Sequence, residues 1–172
     1  MTERTVPASV MAELERQTSA DALLVFLTLT HPDLGQPVRV VSDHPDFSYV
    51  LDGETYQGLP FDGGVLTDND QMPSAELIFP NVDRRIGFAL ERSTNRATID
   101  LAVYSSADFD LTVNPRTEIG TASKVYSFVD FYLSEVQVDA IAIRGRITLR
   151  DYAQEPWPYL RATQDRCPGL FK

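Results

Sequence analysis

The sequence is poor in the residues that make reactive or stapled proteins. It holds one cysteine, Cys167, one tryptophan, Trp157, and two histidines, His31 and His44. A single cysteine excludes an internal disulfide and fits a protein kept in a reducing compartment. Cys167 as a nucleophile would need a base and an orienting group, and with two histidines in the chain it reads as a structural thiol. Lysines are few and arginines scattered, with no basic stripe interleaved with aromatics. The net charge is -10 at pH 7, a field that repels nucleic acid and anionic lipid. Sequence-specific nucleic-acid binding is therefore not expected. Long apolar runs are missing too. The longest, residues 22–27 (ALLVFL), falls far short of the roughly 20 residues that cross a bilayer, so no membrane insertion is expected. The opening residues, MTERTVPASVMAELERQ, lack the apolar core of a signal peptide. No internal repeat or low-complexity tract is visible.

What is present is a chain of 172 residues, 43% of them hydrophobic, enough for one domain with a core of its own. Residues 7–19 predict a helix: Pro7 suits the first turn, and Val10, Met11 and Leu14 share a face that would lie on a sheet or a neighbour. From residue 23 the grammar is that of strands. Residues 23–30, 37–41, 47–51 and 54–56 are rich in branched and aromatic side chains. Asp52-Gly53 between the last two is a strong hairpin signal, because a type I′ turn needs positive φ. Leu59-Pro60-Phe61 suggests an edge or a bulge, and residues 62–73 an exposed loop. Residues 75–79 form a strand closed by Pro80, which cannot donate to a ladder. Residues 82–90 predict a short helix. Further strands are expected at 97–104, 108–113, 125–133, 135–140 and 141–149. In the last, Ile141, Ile143, Gly145, Ile147 and Leu149 alternate with Ala142, Arg144, Arg146 and Thr148, a one-sided sheet strand. Many short strands with little helix predict a mainly β chain, an antiparallel sandwich or barrel with an N-terminal helix and one short internal helix. It divides into an N-terminal helical extension (1–20), a β domain (21–150) and a C-terminal extended arm (151–172).

No motif singles out a reaction. His31 and His44 with Asp43 and Asp46 supply metal-ligand types, yet each histidine precedes a proline in a turn-like segment and reads as loop structure. Asp68-Asn69-Asp70 lacks the glycine and terminal glutamate of an EF-hand loop. Gly63-Gly64 lies in no phosphate-binding pattern, and no serine sits in a G-x-S-x-G elbow. The 25 acidic residues offer many carboxylate pairs, none of them marked out. Asn81-Val82-Asp83-Arg84-Arg85 reads as the junction from a strand to a helix rather than a reactive cluster. No catalytic, metal or cofactor-binding residue is expected, and the chain reads as no enzyme.

HPDLGQPVRVVSD, then a strand and DGETYQGLPF, then a polar loop and PSAELIFPNVDRRI, with PGLF near the end, resembles a family of small phage tail proteins of otherwise undefined domain type. The resemblance spans about residues 20–171. Genes of that kind lie after the tape-measure gene, near a tail-associated peptidase and the host-recognition protein. The resemblance implies a virion tail-tip protein, made in the cytoplasm of the host bacterium, serving as a distal-tail ring or hub-associated component. The implied partners are itself, in a ring with six copies favoured over three, and the tail tube, hub and host-recognition proteins. It implies subunit contacts through Arg84, Arg85, Trp157, Tyr159, Leu160, Leu170 and Phe171. Asp62, Asp68 and Asp70 would face a channel through which DNA passes. A related class of tail-tip protein binds an iron–sulfur centre through a C-terminal cysteine cluster. Cys167 alone does not supply one, so no cofactor is carried over. Two alternatives stay open: a carbohydrate-binding sandwich presenting Trp157, Tyr159 and Tyr49, and a small β-fold hydrolase.

Overall fold

The computed structural model describes residues 8–63, 74–81 and 95–149, together with Arg166 and Gly169. The expected helix over 82–90 and the arm over 151–172, those two residues apart, lie outside the described residues. Helix α1 (Ala8–Glu15) precedes strands β1 (Leu23–Thr30), β2 (Val38–Val41), β3 (Ser48–Leu51), β4 (Glu54–Gly58), β5 (Asp62–Gly63), β6 (Ser74–Pro80), β7 (Thr98–Ser105), β8 (Arg116–Thr117), β9 (Tyr126–Val138) and β10 (Ala142–Thr148). One turn of 3-10 helix, Ser106–Asp108, follows β7. Among the described residues no helix is long and apolar enough to cross a membrane.

The protein is mainly β, and its strands join one sheet in the order β5-β6-β10-β9-β7-β1-β2-β4-β3-β8. The longest ladder is β1 against β7, antiparallel from Leu23↔Ser105 to Thr30↔Thr98. Two pairings, β2 with β4 and β3 with β8, are parallel, so the sheet is mixed where an antiparallel one was expected. The cause is local. After β2 the chain turns through residues 42–47 and lays β3 outside β4, so the returning arm of the β3–β4 hairpin slots in beside β2. Gly58 permits this crossing: a Cβ there would stand 2.1 Å from the His44 carbonyl oxygen. Asp52 and Gly53 have φ of 52° and 79°, the type I′ geometry expected of that hairpin.

Two hydrophobic cores form, and β1 feeds both. Leu27 and Leu29 join a mostly aliphatic core with Leu77, Ile99, Leu133, Ile143 and Ile147, which also takes in Phe79 and Phe131. Leu24 and Phe26 join a second core with Val41, Tyr49, Leu51, Tyr104 and Phe109. Successive strand residues point to opposite faces, so the cores lie on opposite sides of β1. The arrangement is sandwich-like.

Several boundaries differ from the expectation. Residues 125–140 form one strand, β9, rather than two. Asp130 and Glu135 take left-handed φ of 61° and 54° at the two register shifts of β9. Each absorbs an extra residue as a bulge without ending the strand, and at the first the Asp100 carboxylate accepts from the Asp130 N–H at 2.8 Å. Residues 108–113 are not a strand. Asp110 accepts from the Thr112 N–H at 2.9 Å and its hydroxyl at 2.6 Å, which turns the chain. In α1 only Val10 of the expected face is buried, while Met11 and Leu14 are exposed. Ile141 and Leu149 fall just beyond the ends of β10 and are exposed, whereas Ile143, Gly145 and Ile147 face the core.

Candidate functional site

The most elaborate polar arrangement among the described residues lies where the turn 42–47, β3 and β8 meet. The turn is braced by its own side chains. Ser42 Oγ accepts from the Val25 N–H at 2.9 Å, and the Gln57 amide donates to the Pro45 carbonyl at 2.6 Å. That frame holds Asp43 against Tyr49, whose hydroxyl donates to Asp43 Oδ2 at 2.5 Å. Parallel pairing of β3 with β8 sets Arg116 opposite Tyr49. Arg116 Nη1 donates to the same Asp43 oxygen at 2.6 Å and also to the Tyr49 hydroxyl. Its guanidinium stacks 3.8 Å above the centre of the Phe47 ring, a cation–π contact. Arg116 and Asp43 are largely buried, and Tyr49 is 0% exposed.

This cluster is closed around Asp43, though among the described residues Arg116 Nε is buried without a hydrogen-bond partner. Burial above all, with the Asp43 hydrogen bond next, pushes the Tyr49 phenol up to about 12. At neutral pH it stays protonated and is neither a base nor a nucleophile. Asp43 is committed to Tyr49, to Arg116 and, through Oδ1, to the His44 N–H at 2.7 Å. The arrangement positions rather than reacts: it ties residues 106–120 to the hairpin 43–58, across 73 positions of sequence.

The tied loop has an inverted character. Several of its polar side chains turn onto the rest of the protein. Asp108 accepts from the Ser123 N–H at 3.0 Å. Asn114 accepts from the Ser48 N–H at 3.2 Å and donates to the Asp46 carbonyl at 2.9 Å. Glu118 accepts from the Asp52 N–H at 2.6 Å. Phe109 plugs the aromatic core, stacked 5.4 Å from Phe26. Leu111, Val113 and Ile119 meanwhile stand in solvent, Ile119 at 62%.

The described residues also form two concave surfaces. A cleft of about 220 Å³ between the hairpin tip and the β1–β7–β9 face is lined by Thr28, Asp52, Tyr56, Asp100, Lys124 and Ser127, among others. A groove of about 350 Å³ on the outer face of β6, β10 and β9 is lined by Ser74, Glu76, Glu135, Gln137, Arg144 and Arg146, among others.

The chain belongs to the DUF1833 family. That family is described as a domain of unknown function, and its model matches residues 9–162. No curated protein matches the chain. In this DUF1833 chain the two histidines build the same turn twice. In His31-Pro32-Asp33 and His44-Pro45-Asp46 the imidazole Nδ1 accepts from the backbone N–H two residues on, at 3.1 and 3.3 Å. His31 is buried, with Nε2 3.3 Å from the Asn95 carbonyl oxygen, so only His44 is surface punctuation. Among the described residues no group of three or more His, Cys, Asp or Glu is placed to hold a metal ion.

Of the sequence-predicted site residues, Arg84, Arg85, Trp157, Tyr159, Leu160, Leu170, Phe171, Asp68 and Asp70 lie outside the described residues. Asp62 opens β5, its backbone opposite Ile78 of β6. Tyr49, named for a sugar-stacking face, is buried and unavailable for stacking. Asn81 ties β6 to the β9–β10 turn: its amide donates to the Asp139 carbonyl and its N–H to the Ile141 carbonyl, both at 2.8 Å, while the helix it was expected to lead into lies outside the described residues. Sequence reasoning missed Arg116. Its signal was there: it is the lone cation between Asp110 and Glu118 in an acidic loop.

Proposed function

We propose that this DUF1833 protein is a structural part of a phage tail tip rather than an enzyme. In this reading it is a distal-tail ring or hub-associated component that links the tail tube to the baseplate and host-recognition apparatus. The observation that carries the reading is the loop 106–120. A surface loop ordinarily turns polar side chains to water; this one uses Asp108, Asn114, Arg116 and Glu118 for anchoring and presents Leu111, Val113 and Ile119 outward. A rigid loop with an apolar crest suits a part that is covered on assembly. The resemblance of PSAELIFPNVDRRI and its companion segments to small tail proteins supplies the particle. The closed Asp43–Tyr49–Arg116 cluster agrees, being built to hold the crest in place.

Copies of the chain form a ring around the tail axis, six favoured over three, since closed cyclic symmetry is how identical subunits surround a channel. The acidity of the chain keeps the passing DNA from sticking to the channel wall, with Asp62, Asp68 and Asp70 as the wall residues. The test is a reconstruction of the intact particle with antibody detection of this chain in purified virions. The expected result is a ring at the tail tip. Location inside the capsid, or absence from virions, removes the reading.

A further inference from the structure

We infer that copies of this chain meet head to tail, the loop 106–120 of one copy seating in the β6–β10–β9 groove of the next. The inference rests on the ring reading above and deepens it by naming the two surfaces. The first is acidic with an apolar crest. Residues 43–58 and 106–120 together hold seven acidic side chains and one cation, Arg116, which is already closed onto Asp43. The crest of Leu111, Val113 and Ile119 rises from that field.

The second surface lies towards the other end of the strand order. The bulge at Glu135 shifts the register of β9 against β10 beside the groove. Arg144 and Arg146 occupy alternate positions of β10 and line it. Among the described residues Arg144 gives one bond to Asp139 at 2.9 Å and Arg146 one to Ser74 at 3.3 Å. A guanidinium has five N–H donors, so both keep donors for incoming carboxylates such as Asp110. Ile141, just before β10 and three residues from Arg144, is 83% exposed and offers the crest apolar surface outside the groove lining. Glu76 and Glu135 share the groove and repel a misplaced carboxylate, which fixes the register of docking. Two copies meeting loop to loop would set acid against acid. Loop to groove instead brings Asp110 to Arg144 and Arg146, in a groove whose two cations and two carboxylates balance, and such a heterologous contact propagates into a ring when its rotation closes.

Sedimentation velocity of the full chain over a concentration series, at low and high salt, tests this. Wild type should show a mass above the monomer that rises with concentration and falls with salt. Ile119→Asp, and separately the pair Arg144→Glu with Arg146→Glu, should each weaken association about tenfold or more. The decisive arm is their mixture. Each variant keeps the half that the other lacks, so an equal mixture should give a two-copy species and nothing larger. Circular dichroism must match wild type for each variant. Should the double substitution lose that spectrum, Arg146→Gln takes its place, with a smaller loss expected. A wild type that stays monomeric throughout, variants that associate like wild type, or a mixture no better than its components would overturn the proposal. Association in solution by a protein missing from virions leaves the contact standing and removes the tail reading. An Ile119→Asp chain incorporated into virions like wild type does the reverse.

Discussion

The two cores are made of different material and are held in different ways. The first is mostly aliphatic and spread over strands from β6 to β2: Leu27, Leu29, Leu77, Ile99, Leu133, Ile143 and Ile147 share the burial, with Phe79 and Phe131 among them. The second is small and centred on one ring. Phe26 meets Tyr49, Tyr56 and Tyr104 edge-on and Phe109 stacked, at centroid distances from 5.0 to 5.8 Å. The second core also depends on polar ties, since Tyr49 is anchored to Asp43 and Arg116. A distributed aliphatic core rests on non-directional burial, so a small loss at one position is absorbed by many neighbours. A concentrated aromatic core adds directional ring contacts and hydrogen bonds, which makes it more specific and easier to break at one point. The crest-bearing loop is attached to the second core, so the proposed docking surface is only as ordered as that core.

The sharpest way to break the contrast is at its centre. Phe26→Ala should cost about 3–5 kcal/mol, measured by urea unfolding, because one truncation removes four ring contacts. A cost below that of a single aliphatic trim in the first core would contradict the concentrated picture. Next comes the polar tie. Arg116→Met leaves Asp43 largely buried without its cation, and a cost of about 2–4 kcal/mol is expected, below the value for fully buried pairs. Hydrogen exchange should rise across residues 109–120 while β6, β9 and β10 keep their protection. Uniform loss of protection in both cores would show that the tie is not local.

Alkaline pH separates the cores with a smaller effect. The buried tyrosines Tyr49 and Tyr104 both belong to the second core, and both phenols are pushed up to about 12, chiefly by burial. Unfolded tyrosine titrates near 10. Their neutral form is favoured by folding, so the contribution is complete below pH 10 and is lost as pH rises from about 10 to about 12. A loss of roughly 1–3 kcal/mol per tyrosine is expected. Phenolate absorbance against pH, compared with Tyr49→Phe and Tyr104→Phe, checks it. Two buried phenols that ionise at 10 in the folded protein would refute it. The smallest effect belongs to the aliphatic core: Ile99→Val should cost about 0.5–1.5 kcal/mol in the same urea assay and leave exchange in the loop unchanged.

How much of this is legible beforehand varies with the range of the interaction. Strand β1 is readable at both ends, residues 23 and 30, because branched and aromatic side chains fill it without a break. Its division between two cores is not, since LLVFL offers an apolar residue to either face at every position. The long strand β9 reads as two strands because Ser134 and Glu135 look like an interruption. A bulge is a bargain between neighbouring strands, visible only once Asp100 is beside Asp130 and β10 beside Glu135. The candidate site was least legible. Asp43 drew notice through its histidine neighbour, Tyr49 as an aromatic of a sugar-stacking face, and Arg116 not at all.

The sequence by itself determined what depends on near neighbours. It set the mainly β class through side-chain type and alternation. It set the Asp52-Gly53 turn through the tolerance of those residues for positive φ, and the end of β6 through Pro80. It also set the overall acidity. The tertiary structure decided what depends on distant partners. The parallel insertion of β4 between β2 and β3 follows from how the turn 42–47 packs over Gly58. The meeting of Asp43 with Arg116 follows from the pairing of β3 with β8. The outward placing of Leu111, Val113 and Ile119 goes with Asn114, Arg116 and Glu118 finding partners on the hairpin. The physical reason is the same in each case. Backbone conformation is chosen locally, within a few residues, whereas a buried charge or an exposed aliphatic is placed by whichever strands the whole sheet brings together.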